Sequence, residues 1–216
     1  MKYKGAIFDL DGTLLDSMPV WENLGRDYLI SQGVTPPEDI AKVLKPMSLE
    51  ESAVYFRTRF NIQRSVAEMT YDFTALIEKQ YGELVPLKPH VREPLERFHK
   101  AGVKCCIVTA TARHLAEAAL SRLGVLCFFD FLLTCTEMGC GKDRPVIFLK
   151  ARERLGTAQQ ETVIFEDALH AVQTAKAAGF SVAGVYDKSA ASDKEAIMNI
   201  ADYYIYSFDE WEETCK

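Results

Sequence analysis

From about residue 85 onward, short apolar runs alternate with amphipathic stretches of helical period. Residues 105–108 (Cys-Cys-Ile-Val) predict a buried strand, 115–123 a helix and 128–133 another strand. A helix over 145–155, a strand over 163–165 and a helix over 168–178 follow. That helix stops at Gly179; a strand covers 182–185 and a last short one 203–206. Gly102, Gly124, Gly156 and Gly179 each come after a helical stretch, where a left-handed terminator is expected. Apolar strands alternating with helices are the pattern of a parallel sheet covered on both faces and wound right-handedly.

Ala6, Ile7 and Phe8 add a buried strand at the start, but residues 17–81 follow another rule. Leu24, Tyr28 and Leu29, then Ile40, Val43 and Leu44, then Ala53, Phe56 and Phe60, then Met69, Phe73, Leu76 and Ile77 recur at helical spacing. Pro36, Pro37, Pro46 and residues 61–64 divide this stretch into about four helices, and Pro86 and Pro89 mark the return to alternation. The predicted fold class is α/β: a doubly wound parallel sheet, a Rossmann-like core built from residues 1–16 and 82–216, with an all-helical insertion over 17–81.

Composition narrows the partners. A length of 216 residues suits one α/β domain with a modest insertion, not two enzymes in series. Cys105, Cys106, Cys127, Cys135, Cys140 and Cys215 show no C-x-x-C pairing, so reduced thiols are expected, not a zinc site or a disulfide framework. The N-terminus passes straight into a strand, so neither a secretory leader nor a membrane span is expected, and the location read from this is cytoplasmic. A net charge of −6 argues against nucleic acid and leaves a small molecule as the expected ligand. Nothing in the pattern specifies oligomeric state; a monomer is compatible with it.

Four strand ends carry candidate chemistry. The first strand runs into Asp9-Leu10-Asp11-Gly12-Thr13, two carboxylates two residues apart at a glycine turn. Ligands of open parallel sheets bind outside the carboxyl ends of the strands, and there one acid can attack phosphorus while the other manages protons. Thr109 ends the second strand, where its hydroxyl and the following backbone N–H groups, that of Ala110 first, can hold a phosphoryl oxygen. Gly139-Cys140-Gly141-Lys142-Asp143-Arg144-Pro145 delivers one lysine before a helix that Pro145 can start. Glu166 and Asp167 follow residues 163–165. Taken singly, each has an ordinary reading: helix cap, solvated charge, dipole complement. In order on one sheet edge, they are the oxygen ligands, nucleophile, acid/base and neutralising donors of a Mg²⁺-dependent phosphoryl site.

With these motifs in place the chain resembles the haloacid dehalogenase superfamily, in its phosphatase and β-phosphoglucomutase branch with a helical cap, over essentially its whole length. Asp9 to Thr13 match the first motif, Thr109 the second, Lys142 with Pro145 and Phe148 the third, and Glu166-Asp167 the fourth. The resemblance implies Asp9 as nucleophile, forming an aspartyl-phosphate, and Asp11 as the acid that protonates the leaving oxygen and then takes a proton from water. It implies Mg²⁺ held by Asp9, the backbone carbonyl of Asp11, and Asp167, with Glu166 acting through water. Thr109, Ala110 and Lys142 would grip the phosphoryl group, Thr13 would orient Asp11, and Asp16 and Ser17 would begin the hinge to the cap.

Departures bear on substrate. Trp21 takes the place where β-phosphoglucomutases commonly carry a cap histidine, and Leu49, in the stretch 44–52, that of their phosphate-gripping arginine. Trp21, Met47 and Leu49 are the candidate substrate-facing cap residues. Ala168 stands where a serine or threonine is common, and Val146 where an aspartate is. His90, His99, His114 and His170 are scattered, and Arg57 and Arg59 fit a solvated helix face. The expected function is phosphomonoester hydrolysis of a small phosphorylated metabolite, a sugar phosphate or similar. The alternatives are β-phosphoglucomutase or another sugar-phosphate mutase and, from a different class, a non-catalytic phosphate-ligand binder. Dehalogenation itself needs no Mg²⁺ site and is disfavoured.

Overall fold

In a computed structural model, which describes residues 2–44 and 47–211, the chain begins with β1 (Gly5–Phe8) and then leaves the sheet for α1 (Met18–Ser31), α2 (Ile40–Leu44), α3 (Leu49–Phe60) and α4 (Val66–Lys79). It continues through α5 (Arg92–Lys100), β2 (Lys104–Thr109), α6 (Arg113–Arg122), β3 (Phe131–Thr134), α7 (Cys135–Met138) and α8 (Val146–Leu155). It closes with β4 (Thr162–Glu166), α9 (Leu169–Ala177), β5 (Ser181–Val185), α10 (Lys194–Ile200) and β6 (Tyr203–Ile205).

The six strands are parallel, in the order β3-β2-β1-β4-β5-β6. This is the doubly wound arrangement expected, and the winding reverses between β1 and β4. Period-2 alternation sorts the central side chains. Ile7, Cys106, Val108, Ile164 and Val182 pack with Ile147, Phe148, Ala151, Ala171 and Val172 of α8 and α9. On the other face Phe8 stacks on Phe165 at 4.6 Å and 3° and meets Phe98 of α5 at 6.1 Å. Apolar burial on both faces leaves the strand ends as the only places in the sheet where charge can collect.

Several boundaries differ from expectation by a residue or more. The third strand begins at Phe131, because residues 126–128 form a 3₁₀ turn in which Phe128 meets His99 and Phe129 meets Phe8 edge-on. Asp130 then ties the entry to β2, its N–H donating to the Cys105 carbonyl at 2.7 Å and its carboxylate accepting from the Cys105 N–H at 3.1 Å. Pro145 is the cap of α8, not its first residue. The four glycines expected as helix terminators all have positive φ.

The chain divides into two compact units, Met1–Asp16 with Pro86–Lys216, and Ser17–Val85. The helical unit runs past Tyr81 because α4 continues into a π turn over Gln80–Leu84. Its own core is Tyr28, Leu29, Ile40, Ala53, Phe56, Met69 and Phe73, with Tyr28 against Phe56 at 6.0 Å and Phe73 at 4.7 Å. Ser48 with Glu51 and Ser65 with Glu68 form capping boxes that start α3 and α4, and left-handed Asn61 ends α3. Lys45 and Pro46 lie outside the described residues, as does Cys215. Among the described residues no helix is long and apolar enough to cross a membrane.

Candidate active site

β1 pairs on both sides, so its ladder has to end where the chain meets the strand ends, and it ends on a charge. The Asp9 N–H donates to the Phe165 carbonyl at 2.9 Å, which carries the pairing with β4 one residue further. Gly12 then turns at φ +83°, donating its N–H to the Leu15 carbonyl, while Leu14 and Leu15 both donate to the carbonyl of Leu10. A Cβ at Gly12 would stand 2.4 Å from Oδ2 of Asp167, so both its φ and its neighbour require glycine.

Register brings the other motifs to the same edge. Phe8 is level with Ile107 of β2 and Phe165 of β4, so Asp9 stands beside Glu166, and Thr109 ends the neighbouring strand. Lys142 arrives on the turn after α7. That helix is started by a capping box between Thr134 and Glu137 and ended by left-handed Gly139. The turn buries the lysine, which is 8% exposed. Its Nζ donates to Asp9 Oδ1 and, at 2.8 Å, to Glu166 Oε2. Oε1 of Glu166 accepts from the Ala168 N–H at 3.2 Å.

Asp9, Glu166 and Asp167 are all buried, and each offers an oxygen within 4.8 Å of the others'. Three carboxylates face one ammonium. Burial, then the charge of Glu166, pushes the Asp9 carboxyl up to about 6 against the pull of Lys142. Burial, then the charges of Asp9 and Glu166, raises Asp167 as well, again against the pull of Lys142. For Lys142 burial works downward, but the Asp9 and Glu166 carboxylates outweigh it and hold the ammonium above its ordinary value. Oxygen-only donors, buried and with negative charge to spare, fit a hard divalent cation.

Asp11 stands outside that trio. Its Oδ2 accepts from Oγ1 of Thr111 at 2.5 Å, and the Thr111 N–H donates to Oγ1 of Thr109 at 2.9 Å. The Thr109 oxygen thus accepts one bond here, and its O–H is a donor of the kind an incoming anion takes. The Thr13 hydroxyl, expected to orient Asp11, donates to Asp167 Oδ1 at 3.1 Å, while the Thr111 hydroxyl holds Asp11.

Residues 6–185 match the profile of the family described as haloacid dehalogenase-like hydrolase. The chain belongs to the haloacid dehalogenase-like hydrolases. It is 32% identical to hexitol phosphatase A of Escherichia coli over 86% of its length and 84% of that protein. It is 28% identical to the phosphorylated carbohydrates phosphatase of Thermotoga maritima over 82% of each chain. A solved structure from Thermotoga maritima, provisionally assigned as a beta-phosphoglucomutase, matches 94% of each chain with a TM-score of 0.81 at 26% identity. The resemblance read from the motifs is borne out, and this haloacid dehalogenase-like hydrolase is an enzyme of the phosphatase branch.

The remaining candidates of this hydrolase fall as follows. Ala110 is exposed at the turn after β2. In the helical unit Trp21 is 37% exposed on α1, with Nε1 donating to Tyr81 Oη at 2.9 Å. Met47 is half-buried, its N–H donating to the Leu44 carbonyl, and Leu49 packs against the helical core. Sequence reasoning missed Thr111, Lys88 and Asp187. Thr111 repeats the hydroxyl of Thr109 two residues on, and Asp187 lies beyond β5 as Asp9 lies beyond β1, so position relative to a parallel strand end was the available signal.

Proposed function

We propose that this hydrolase removes the phosphoryl group from a small phosphorylated carbohydrate or polyol, using Mg²⁺ and a phosphoryl-Asp9 intermediate. The observation that carries the reading is the bridge from Lys142 to Asp9 and Glu166 beside Asp167. A carboxylate oxygen of Asp9 forms a bond to phosphorus as the bond to the leaving oxygen breaks, and Asp11 gives that oxygen its proton. Water then attacks phosphorus, Asp11 takes the water's proton, and the bond to Asp9 breaks to release inorganic phosphate. Thr109, the Ala110 N–H and Lys142 bind the phosphoryl oxygens. Asp9, Asp167, the Asp11 carbonyl and Glu166 through water are the groups that would hold Mg²⁺, whose charge lets an anionic carboxylate approach an anionic phosphate. The Thr111 hydroxyl steers the Asp11 carboxyl in this scheme.

The names of the two phosphatase relatives favour a sugar or polyol phosphate. The helical unit is assigned the role of substrate-selecting cap, with Trp21, Met47 and Leu49 as its candidate contacts. Water is preferred to a sugar hydroxyl as acceptor, because Trp21 and Leu49 stand where a mutase would hold polar grips on a bisphosphate. The proposal places the reaction in the cytoplasm, where six thiols stay reduced. Phosphate release from a panel of hexose, hexitol and aryl phosphates with Mg²⁺ tests the reading. Asp9→Asn should remove activity; near-wild-type turnover by that variant would overturn the covalent route. Efficient conversion of β-glucose 1-phosphate to glucose 6-phosphate, primed by the bisphosphate, would replace hydrolysis with the mutase reaction.

A further inference from the structure

Outside the motifs, a largely buried cation touches the catalytic turn. Lys88 lies on the segment re-entering the sheet unit, whose backbone is fastened to the first motif: the Asp16 N–H donates to the Pro86 carbonyl at 3.0 Å, and the Lys88 N–H to the Leu14 carbonyl at 2.9 Å. Its side chain is 12% exposed. Nζ donates to three oxygens: the Gly12 carbonyl at 2.6 Å, the Tyr186 carbonyl at 2.5 Å and Asp187 Oδ2 at 2.9 Å. An ammonium has three protons, and all three are used. Asp187 is itself fixed, its Oδ1 accepting from the Ser189 N–H at 2.9 Å and hydroxyl at 2.7 Å. Lys88 therefore links the end of β5 to the turn that carries Asp9 and Asp11.

We propose that Lys88 is a positioning residue for the phosphoryl-transfer site, acting by clamping the carbonyl of Gly12 to the end of β5 through Asp187. The Gly12 carbonyl and the Thr13 N–H share one peptide plane, so a fixed carbonyl fixes the orientation of Thr13, whose hydroxyl holds Asp167. The space that a Cβ on Gly12 would take is filled by the Asp167 carboxylate. A rotation of this peptide would therefore displace both Asp167 and the neighbouring Asp11 carbonyl, and sites of this kind tolerate only about half an ångström. A bare structural ion pair needs only Asp187; the bond to Gly12 O is the part that reaches the chemistry.

The inference rests on the proposed reaction, and its test includes readouts that stand without it. Lys88→Met is compared with Lys88→Met/Asp187→Asn, which removes the stranded carboxylate and restores charge balance while leaving the Gly12 carbonyl unclamped. Thermal midpoint, Mg²⁺ affinity by calorimetry, and kcat and KM on an aryl phosphate are measured for each. The single variant should lose about tenfold or more in kcat with KM within about twofold, and bind Mg²⁺ several-fold more weakly. The double variant should regain the thermal midpoint but neither kcat nor Mg²⁺ affinity. If the single variant does not fold, the double variant carries the same comparison with wild type. Recovery of kcat and Mg²⁺ affinity in the double variant would reduce Lys88 to a counter-ion and overturn the proposal. So would unchanged kcat and Mg²⁺ affinity in the single variant. Failure of the phosphatase reading shows separately, as absence of turnover by the wild-type enzyme.

Discussion

Replacing Lys142 with alanine removes the one cation that bridges Asp9 and Glu166, and two effects can be separated. The first is on folding. Both partners are buried, and breaking a buried pair from one side costs about 3–5 kcal/mol because charge is left without a counter-charge. Asp9 and Asp167 already sit above the ordinary carboxylate range, so part of that cost is avoided as they take up protons, and the loss should be largest above neutral pH. The second effect is on catalysis: losing a donor to the transferring phosphoryl group is worth about 10²-fold or more in kcat/KM, about 2.7 kcal/mol. Lys150 serves as the control, since its pair with Glu153 at 2.8 Å stands in solvent, with side chains 55% and 63% exposed. Urea unfolding at pH 6 and pH 8, beside kcat/KM on an aryl phosphate, reads both effects for both alanine variants. Equal and small changes in the two would mean that Lys142 neither stabilises the acidic cluster nor contacts the substrate, and the site as assembled would be wrong.

Two further outcomes follow from the same cluster. Asp9 and Asp167 hold protons more tightly in the folded chain than in the unfolded one, so the stability they contribute is present at low pH and is lost as pH rises through their folded values, about 6 for Asp9. The metal-free thermal midpoint should fall between about pH 5 and pH 7, Asp167→Asn should flatten that fall, and Mg²⁺ should raise the midpoint more at pH 7.5 than at pH 5.5; an equal Mg²⁺ effect at both would contradict it. Gly12→Ala should cost at least ten times more activity than its loss in unfolding free energy implies, because φ +83° is strained for alanine and its methyl would push Asp167 Oδ2 from a 2.4 Å approach. Kinetics beside urea unfolding of that one variant checks it.

The sheet was legible in the sequence because a strand buried on both faces has to be apolar throughout, and the helices because period 3.6 survives in Leu115, Ala119 and Leu120 as in Ile147, Phe148 and Ala151. The start of β3 was not, because Phe128 and Phe129 have strand propensity while their rings are used against His99 and Phe8 in a turn. Asp9, Asp11, Lys142, Glu166 and Asp167 could be singled out because each sits at or just beyond a strand end or on a glycine-flanked turn. The geometry that joins them was not. Which hydroxyl serves which carboxylate depends on rotamers and register, so nothing in the sequence puts Thr13 on Asp167 or Thr111 on Asp11. Lys88 was invisible for a different reason: two of its three partners are carbonyl oxygens, of Gly12 and Tyr186, and backbone acceptors leave no trace in side-chain chemistry.

The charge pattern around the turn ties these features together. Five acids, Asp9, Asp11, Glu166, Asp167 and Asp187, gather at adjacent strand ends, and the fold answers them unevenly. Asp187 has its own lysine and serine. Burial alone would push this carboxyl upward, but the bonds to Ser189 and Lys88 overcome that and hold it below its ordinary value. Asp11 accepts a hydrogen bond from the Thr111 hydroxyl. Asp9, Glu166 and Asp167 share Lys142 and the hydroxyl of Thr13. Compensation is thus met at Asp187 and short among Asp9, Glu166 and Asp167, where the negative charge left over is concentrated on buried oxygens. A site meant only to bind a phosphate ester would present cations there, since carboxylates repel the ligand. A deficit of positive charge beside a fully neutralised support is what a site needs if a divalent cation is to complete it and Asp9 is to remain available for attack.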